Sequence, residues 1–197
     1  MVLQSLIGAL NTDSFRIMSL LANPALNVVM YYWAKSYFIV LPLIAIFLLL
    51  RKDKKVFTFA IAIVAMYLVS DLIKIAVKEP RPCSVADLSW IHTYGGCESG
   101  FSFPSSHAST LTGLAIFVNG YKYLRVAYWV WLFFVLFGRV YLGDHYFTDV
   151  IAGMALSVAL AWLINRYRKP VNDFCEKIFD RIIGLFYHKK WFAGGVE

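Results

Sequence analysis

The sequence predicts an all-α protein, a polytopic bundle of transmembrane helices, and three observations carry that prediction. The chain has 197 residues, 60% of them hydrophobic and only 16% charged, where a soluble domain carries about 25% charged and 45–50% apolar residues. Five segments are apolar enough to cross a bilayer core of about 30 Å, which takes roughly 17–25 helical residues. The basic residues cluster between those segments, so a formal net charge of +7 reads as membrane topology and not as a nucleic-acid footprint. The length suits a single membrane-embedded domain, residues 1–197, with no nucleic-acid partner.

The spans fall near Trp33–Leu50, Val56–Val77, Ser105–Gly120, Tyr123–Leu142 and Phe147–Asn165, inside a transmembrane core of residues 33–167. The third is short and opens on polar residues. Before the first, residues 12–32 are moderately apolar but interrupted, and residues 1–32 together form the N-terminal segment. Thr12, Asp13 and Ser14 suit a helix cap, and Asn23-Pro24 reads as a stop followed by a new start. Two short interfacial or re-entrant helices are expected there in preference to a sixth span. Residues 1–10 lack a basic n-region and a small-residue cleavage site, so no cleavable leader is expected. After the last span, Pro170 opens an amphipathic stretch over residues 170–190. Phe174, Ile178, Ile182 and Leu185 share one side, and Asp173, Glu176, Lys177, Asp180 and Arg181 fall largely on the other. Such a pattern predicts a helix on the cytoplasmic membrane surface.

Loop charge predicts orientation. Arg51, Lys52, Lys54 and Lys55 lie between the first two spans, Lys122 and Arg125 between the third and fourth, and Arg166, Arg168 and Lys169 after the fifth. All fall on one side of a five-span bundle, the cytoplasmic side by the positive-inside rule. The outer side then holds the long loop from Lys78 to Pro104 and the short turn at Gly143–Tyr146. Cys83, Cys97 and Cys175 match no zinc spacing. Cys83 and Cys97 flank the outer loop, which leaves two readings open, a disulfide in an oxidising compartment or two unpaired thiols.

Three constellations converge on that outer face. They are Lys74-x6-Arg81-Pro82 at the end of the second span, Pro104-Ser105-Ser106-His107 at the start of the third, and Arg139-x5-His145-x3-Asp149 from the fourth into the fifth. Their residue types suit phosphate chemistry. Phosphoryl transfer is catalysed mainly by positioning and by electrostatic stabilisation of the oxygens. Lys74, Arg81 and Arg139 supply three cations, and guanidinium forks match phosphate oxygens two at a time. Ser105 and Ser106 precede a helix, whose free N–H groups and dipole favour an anion. His145 and Asp149, four apart, would share a helical face, so the carboxylate can hold Nδ1–H and leave Nε2 to attack phosphorus. His107 suits a general acid for the leaving oxygen, then a base for the water that breaks the phosphohistidine. The cations take the part of magnesium, so neither metal nor cofactor is expected.

These residues resemble the three signature motifs of the type 2 phosphatidic acid phosphatase (PAP2) superfamily, in order and over residues 74–149. Three such sets arise together by chance on the order of once in a hundred thousand sequences. The resemblance implies that His145 is the nucleophile, Asp149 its partner and His107 the general acid. It also implies that Lys74, Arg81, Ser105 and Arg139 bind the phosphate, with help from the amide of Ser106. Two positions depart from the pattern: Ser106 stands where the family usually has Gly, and Gly138 where it usually has Ser. Serine keeps the N–H; the glycine removes a hydroxyl and with it one expected phosphate hydrogen bond.

Blander readings stand beside these. Asp71 and Lys74 lie a turn apart and can form a structural ion pair, although ionisable groups inside membrane segments are usually functional. Arg81 suits a headgroup anchor. Asp144 and Glu79 read as solvated or structural, and His92, near Trp90 and Tyr94, as a loop or lipid-contact residue. The expected activity is removal of a terminal phosphate from a membrane lipid phosphate or pyrophosphate, the lipid and the bilayer being the partners. The lean is to undecaprenyl or another isoprenoid pyrophosphate, because the chain is short; phosphatidic acid, phosphatidylglycerol phosphate and lipid A phosphates fit the same pocket. Transfer of the phosphoryl group to a second lipid runs through the same intermediate. A non-catalytic lipid binder is disfavoured by the complete set of His107, His145 and Asp149. The compact chain suggests a prokaryotic cytoplasmic membrane.

Overall fold

A computed structural model describes residues 2–85 and 94–184, with side chains over 5–85 and 94–182. Seven helices follow in order: α1 (Val2–Leu21), α2 (Pro24–Lys35), α3 (Tyr37–Leu50), α4 (Lys55–Val77), α5 (Ser106–Val118), α6 (Lys122–Tyr141) and α7 (Phe147–Gly184), with a 3₁₀ turn at Pro82–Ser84. No strand occurs among the described residues. Among the described residues four segments are long and apolar enough to cross a membrane: Pro24–Leu50, Lys55–Ser84, Lys122–Tyr141 and Phe147–Ile182. The protein is an all-α integral membrane bundle.

The N-terminal third differs in detail from the sequence reading. Thr12, Asp13 and Ser14 start no helix, because α1 runs through them; the Thr12 hydroxyl bonds back to the Gly8 carbonyl inside the helix. The stop at Asn23-Pro24 is where the sequence placed it: the Asn23 side chain caps α2 by accepting from Leu26 N–H at 2.9 Å, with Pro24 at the first helical position. Residues 24–32, read as interfacial or re-entrant, lie in α2, which with α3 makes the 27-residue apolar stretch Pro24–Leu50, long enough to cross a membrane. The break at Ser36 inside that stretch is held from α6, where Trp131 Nε1 donates to Ser36 Oγ at 2.7 Å and Trp33 Nε1 donates to the Trp131 carbonyl at 3.2 Å.

Helix α5 is the centre of the bundle. With 13 residues it is about 20 Å long and too short to cross alone. It is buried on nearly every face, from Ser106 to Val118, against α4, α6 and α7. Gly153 of α7 makes that packing close: a Cβ there would meet the Ser105 carbonyl at 2.6 Å, Ala108 Cβ at 2.8 Å and Ser109 N at 3.1 Å. Small residues at such crossings let helix backbones approach in a bilayer. Ser70 and Ser109 hydrogen-bond across the α4–α5 contact.

The basic segments do gather at one end of the bundle. Lys54 pairs with Glu176 at 3.0 Å, Lys55 with Asp53 at 3.1 Å, and Tyr121 donates to Asp53 at 2.8 Å. Helix α7 continues through Pro170 into this cluster, where the sequence suggested a separate surface helix. Its extension is clamped to α4: Asn172 Oδ1 accepts from Thr58 N–H and Oγ1 at 3.2 and 2.9 Å, and Phe179 packs on Phe57. A ring and an amide bound to the neighbouring helix hold the axis where a proline alone would allow it to turn. Leu185 and the rest of the expected amphipathic stretch lie outside the described residues, as do Trp90 and His92.

Candidate active site

The three constellations meet at the opposite end of the bundle, around a cavity of about 270 Å³ lined by Tyr67, Asp71, Lys74, Ile75, Arg81, Glu98, Ser99, Gly100, Phe101, Ser106, His107 and His145. Each reaches it by local logic. Lys74 is one turn from the end of α4, which stops at Lys78 in a left-handed conformation, φ 57°. Its ammonium turns to the Phe101 and Ser102 carbonyls, both at 2.8 Å, and Asp71 accepts from Ser106 Oγ at 3.3 Å. Arg81 is held extended by the proline that follows it. Its Nη1 donates to the Asp144 carbonyl at 2.9 Å and its Nη2 to the Ser99 carbonyl at 3.3 Å. Buried Arg81 is therefore more than a headgroup anchor.

Arg139 lies near the end of α6 and is 1% exposed. The chain then turns sharply, with Gly143 at φ 71°, so that the Arg139 carbonyl accepts from the N–H groups of both Asp144 and His145. His145 precedes α7 and does not share a helical face with Asp149. The turn brings them together instead: Asp149 Oδ2 accepts from Tyr146 N–H at 2.9 Å and lies 3.4 Å from His145 Nδ1. Ser102 Oγ donates to the same carboxylate oxygen and sits 3.4 Å from Nδ1. Nε2 faces Arg81 Nη1 at 3.3 Å. A guanidinium can only donate, so Nε2 is the acceptor and the proton is on Nδ1. Burial, with the charges of Arg139, Arg81 and Lys74, lowers the His145 pKa well below 6.5, so the ring is neutral at pH 7.

The second constellation divides. Ser106 and His107 line the cavity, and the His107 ring meets Tyr37 edge-on at 4.8 Å. Ser105 is fully buried and its hydroxyl is spent as the α5 cap, accepting from Ala108 N–H at 3.4 Å. The amides of Ser106 and His107 open α5 at the site end, where a helix N-terminus leaves its first N–H groups without intrahelical partners. Gly138 faces away from the cavity: a Cβ there would meet Ala34 Cβ and the Met30 carbonyl at 3.4 Å each. A side chain at 138 would press on α2, so the glycine removes no hydrogen bond from the cavity.

Two residues here, Glu98 and Ser102, were not singled out from sequence, and a third, Asp144, plays a larger part than its sequence context suggested. Glu98 binds Arg139 through both oxygens, at 3.0 and 2.5 Å, and its Oε2 lies 3.5 Å from Arg81 Nη2. Burial alone would raise its carboxyl, but the hydrogen bonds and charge of Arg139, with Arg81, hold it below the usual range. Ser102 joins His145 to Asp149. Asp144, read as solvated or structural, is buried and pairs with Arg139 at 3.3 Å; burial raises its carboxyl in spite of that arginine. Spacing carries no signal for Glu98 or Ser102, which sit on irregular chain. Cys97, beside Glu98, forms a disulfide with Cys83, with the Cα atoms 5.7 Å apart. Among the described residues no group of three or more His, Cys, Asp or Glu side chains is arranged to hold a metal ion.

A helical membrane bundle that sets a neutral histidine, with a carboxylate behind it, at a cavity lined by a lysine and an arginine is suited to phosphate chemistry at a membrane. The chain matches the PAP2 superfamily over residues 55–173 and belongs to it, which places it with phosphate ester hydrolases. It is 38% identical over 82 residues to a lipid A 4'-phosphatase of Bacteroides thetaiotaomicron, covering 40% of this chain and 36% of that protein. It is 29% identical over 164 residues to the undecaprenyl-diphosphatase BcrC of Bacillus subtilis, covering 80% and 82%. The chain thus spans about a third of the first relative and most of the second. In fold it is similar to a crystal structure of a PAP2-type phosphatidylglycerolphosphate phosphatase from Bacillus subtilis, with TM-score 0.64, 24% identity and 86% and 87% of the two chains covered. It is also similar to Aquifex aeolicus LpxE, with TM-score 0.67, 24% identity and 80% and 96% covered.

Proposed function

We propose that this protein hydrolyses the terminal phosphate of a membrane lipid phosphate or pyrophosphate through a phosphohistidine on His145. The observation that carries the reading is the placement of His145: buried, neutral, its Nε2 beside Arg81 at the cavity and its Nδ1 toward Asp149. Nε2 attacks phosphorus, the bond to the leaving oxygen breaks, and His107, which must be an imidazolium beside the bound phosphate's negative charge, gives that oxygen its proton. His107 then takes a proton from water, whose oxygen attacks the phosphohistidine; inorganic phosphate leaves and His145 is restored. Lys74, Arg81, Arg139 and the first-turn amides of α5, that of Ser106 included, hold the phosphate oxygens and their developing charge. Ser105 contributes by capping α5, so that those amides stay in place.

A lipid fits because the cavity lies at the end of a membrane bundle, where a headgroup reaches it while the tails stay in the bilayer. Similarity over 80% of the chain to an undecaprenyl-diphosphatase supports the lean to an isoprenoid pyrophosphate. Collection of the basic segments at the far end supports a site on the outer face of a prokaryotic cytoplasmic membrane. The test is phosphate release by purified protein in detergent from undecaprenyl pyrophosphate, phosphatidic acid, phosphatidylglycerol phosphate and lipid A, with EDTA present and His145→Ala alongside. Release that survives EDTA and is lost in the variant supports the reading, and the preferred lipid names the substrate. Release retained by His145→Ala overturns it.

A further inference from the structure

Glu98 already occupies the arginines that the proposed function assigns to phosphate. Its carboxylate takes two hydrogen bonds from Arg139 and lies 3.5 Å from Arg81 Nη2. The two guanidinium side chains are 1% and 8% exposed, whereas Glu98 is 35% exposed. Glu98 lines the cavity and Arg139 does not. The carboxylate thus stands between Arg139 and any anion in the cavity. The Nε atoms of Arg81 and Arg139 are buried and find no acceptor among the described residues, so the pair holds donors that the carboxylate does not use.

We propose that Glu98 is an internal ligand of the anion site, which must leave the two arginines before a phosphate can use both and which thereby keeps weakly held phosphodiesters from occupying it. The proposal rests on the reading that Arg81 and Arg139 receive the phosphate. Buried cations without a counter-ion are costly, and Glu98 supplies one while the site is empty. Displacing one negative charge by the dianion of a phosphate monoester gains a charge on the arginines. A diester, with a single charge, only replaces what it removes. The bulk phospholipids around the protein are diesters, so an internal carboxylate keeps their headgroups from filling the site. The chain around Glu98 suits an exchange. Gly96 and Gly100 bracket it, both at φ 86° with open space where a Cβ would be. The Cys83–Cys97 disulfide ties the neighbouring residue to the segment that carries Arg81, so a displaced Glu98 stays at high local concentration.

The probes are inorganic phosphate at pH 8 and dimethyl phosphate, a monoanionic diester, measured by direct binding to the full chain in detergent. If Glu98 holds the arginines nine-tenths of the time, apparent affinity is reduced about tenfold. Glu98→Gln is therefore expected to bind phosphate and dimethyl phosphate each about tenfold tighter than wild type, so that the diester fills the site at about a tenth of the concentration it needs in wild type. Glu98→Asp keeps the charge on a shorter arm and is expected to fall between, which serves if the glutamine variant is poorly folded. Equal or weaker phosphate binding in both variants overturns the proposal and makes Glu98 a support for the arginines. Lipid phosphate release with phosphate binding unmoved by the Glu98 variants sinks this inference alone. Tighter phosphate binding in the variants without turnover of any lipid sinks the hydrolase reading and leaves Glu98 as an internal ligand.

Discussion

Arg81 Nη1 lies 3.3 Å from His145 Nε2, so one guanidinium addresses both the ring and the place a phosphate would take. The donor-only guanidinium leaves Nε2 as acceptor, and the Nδ1 proton then points at Ser102 and Asp149. Nitrogen NMR of the histidines at pH 7 is expected to show His145 neutral and protonated at Nδ1. Arg81→Lys keeps a charge but loses the planar fork, and should lower kcat/KM by about 10–10³-fold. A lysine variant with wild-type kinetics would remove Arg81 from the proposed site.

The His145–Asp149 pair predicts a graded series. His145→Ala should lower kcat by about 10⁴-fold or more, because no other group takes over the covalent step. Asp149→Asn keeps the shape but loses the charge that orients and stabilises the ring, for a loss of about 10²–10⁴-fold. Ser102→Ala removes one hydrogen bond to Asp149 and should cost about tenfold. Phosphate trapped on protein after acid-free quenching, present in wild type and absent in His145→Ala, checks the first of these directly.

The depressed pKa of His145 sets the acid limb of the pH profile. The nucleophile must be unprotonated, and burial with three nearby cations holds its folded-state pKa below the ordinary 6.5. Activity is therefore retained as pH falls to 6.5 and is lost only as pH drops through the lowered value. A kcat/KM profile of the free enzyme whose acid limb lies at or above 6.5 would contradict that placement.

Gly153 carries the closest helix contact in the bundle. Gly153→Ala drives a methyl into the Ser105 carbonyl and the Ser109 amide, which are backbone and cannot rotate aside. The expected cost is about 1–3 kcal/mol of overpacking. Because Ser105 N–H donates to the Asp149 carbonyl at 3.1 Å, moving α5 also moves His107 relative to Asp149. Thermal unfolding in detergent and kcat should fall together in this variant, while Gly8→Ala, with nothing near its Cβ, should leave both unchanged.

Much of the fold was readable in advance because the bilayer imposes a strong rule: a spanning segment must be apolar and must satisfy its own backbone, which writes it as a helix in the sequence. The second and fourth spans were found nearly to the residue, as α4 and α6. Loop charge and the motif positions placed Lys74, Arg81, His107, Arg139 and His145 at one end, and they meet there. The same hydropathy could not show that residues 24–32 join the first span, nor that α7 runs on through Pro170, since both depend on contacts with other helices. Spacing proposed a shared helical face for His145 and Asp149, whereas a sharp turn after Arg139 brings them together. It was silent on Glu98, Ser102 and the position of Gly138.

What the sequence by itself determined was the class: a membrane bundle whose cations, histidines and carboxylate are strung on segment ends at spacings that only a common membrane face explains. What the tertiary structure decided was which atoms face which. The proton on Nδ1 of His145, the carboxylate of Glu98 across two arginines and the burial of Asp144 depend on irregular chain between helices. Irregular chain has no period to read, and its course is settled only by the packing around it.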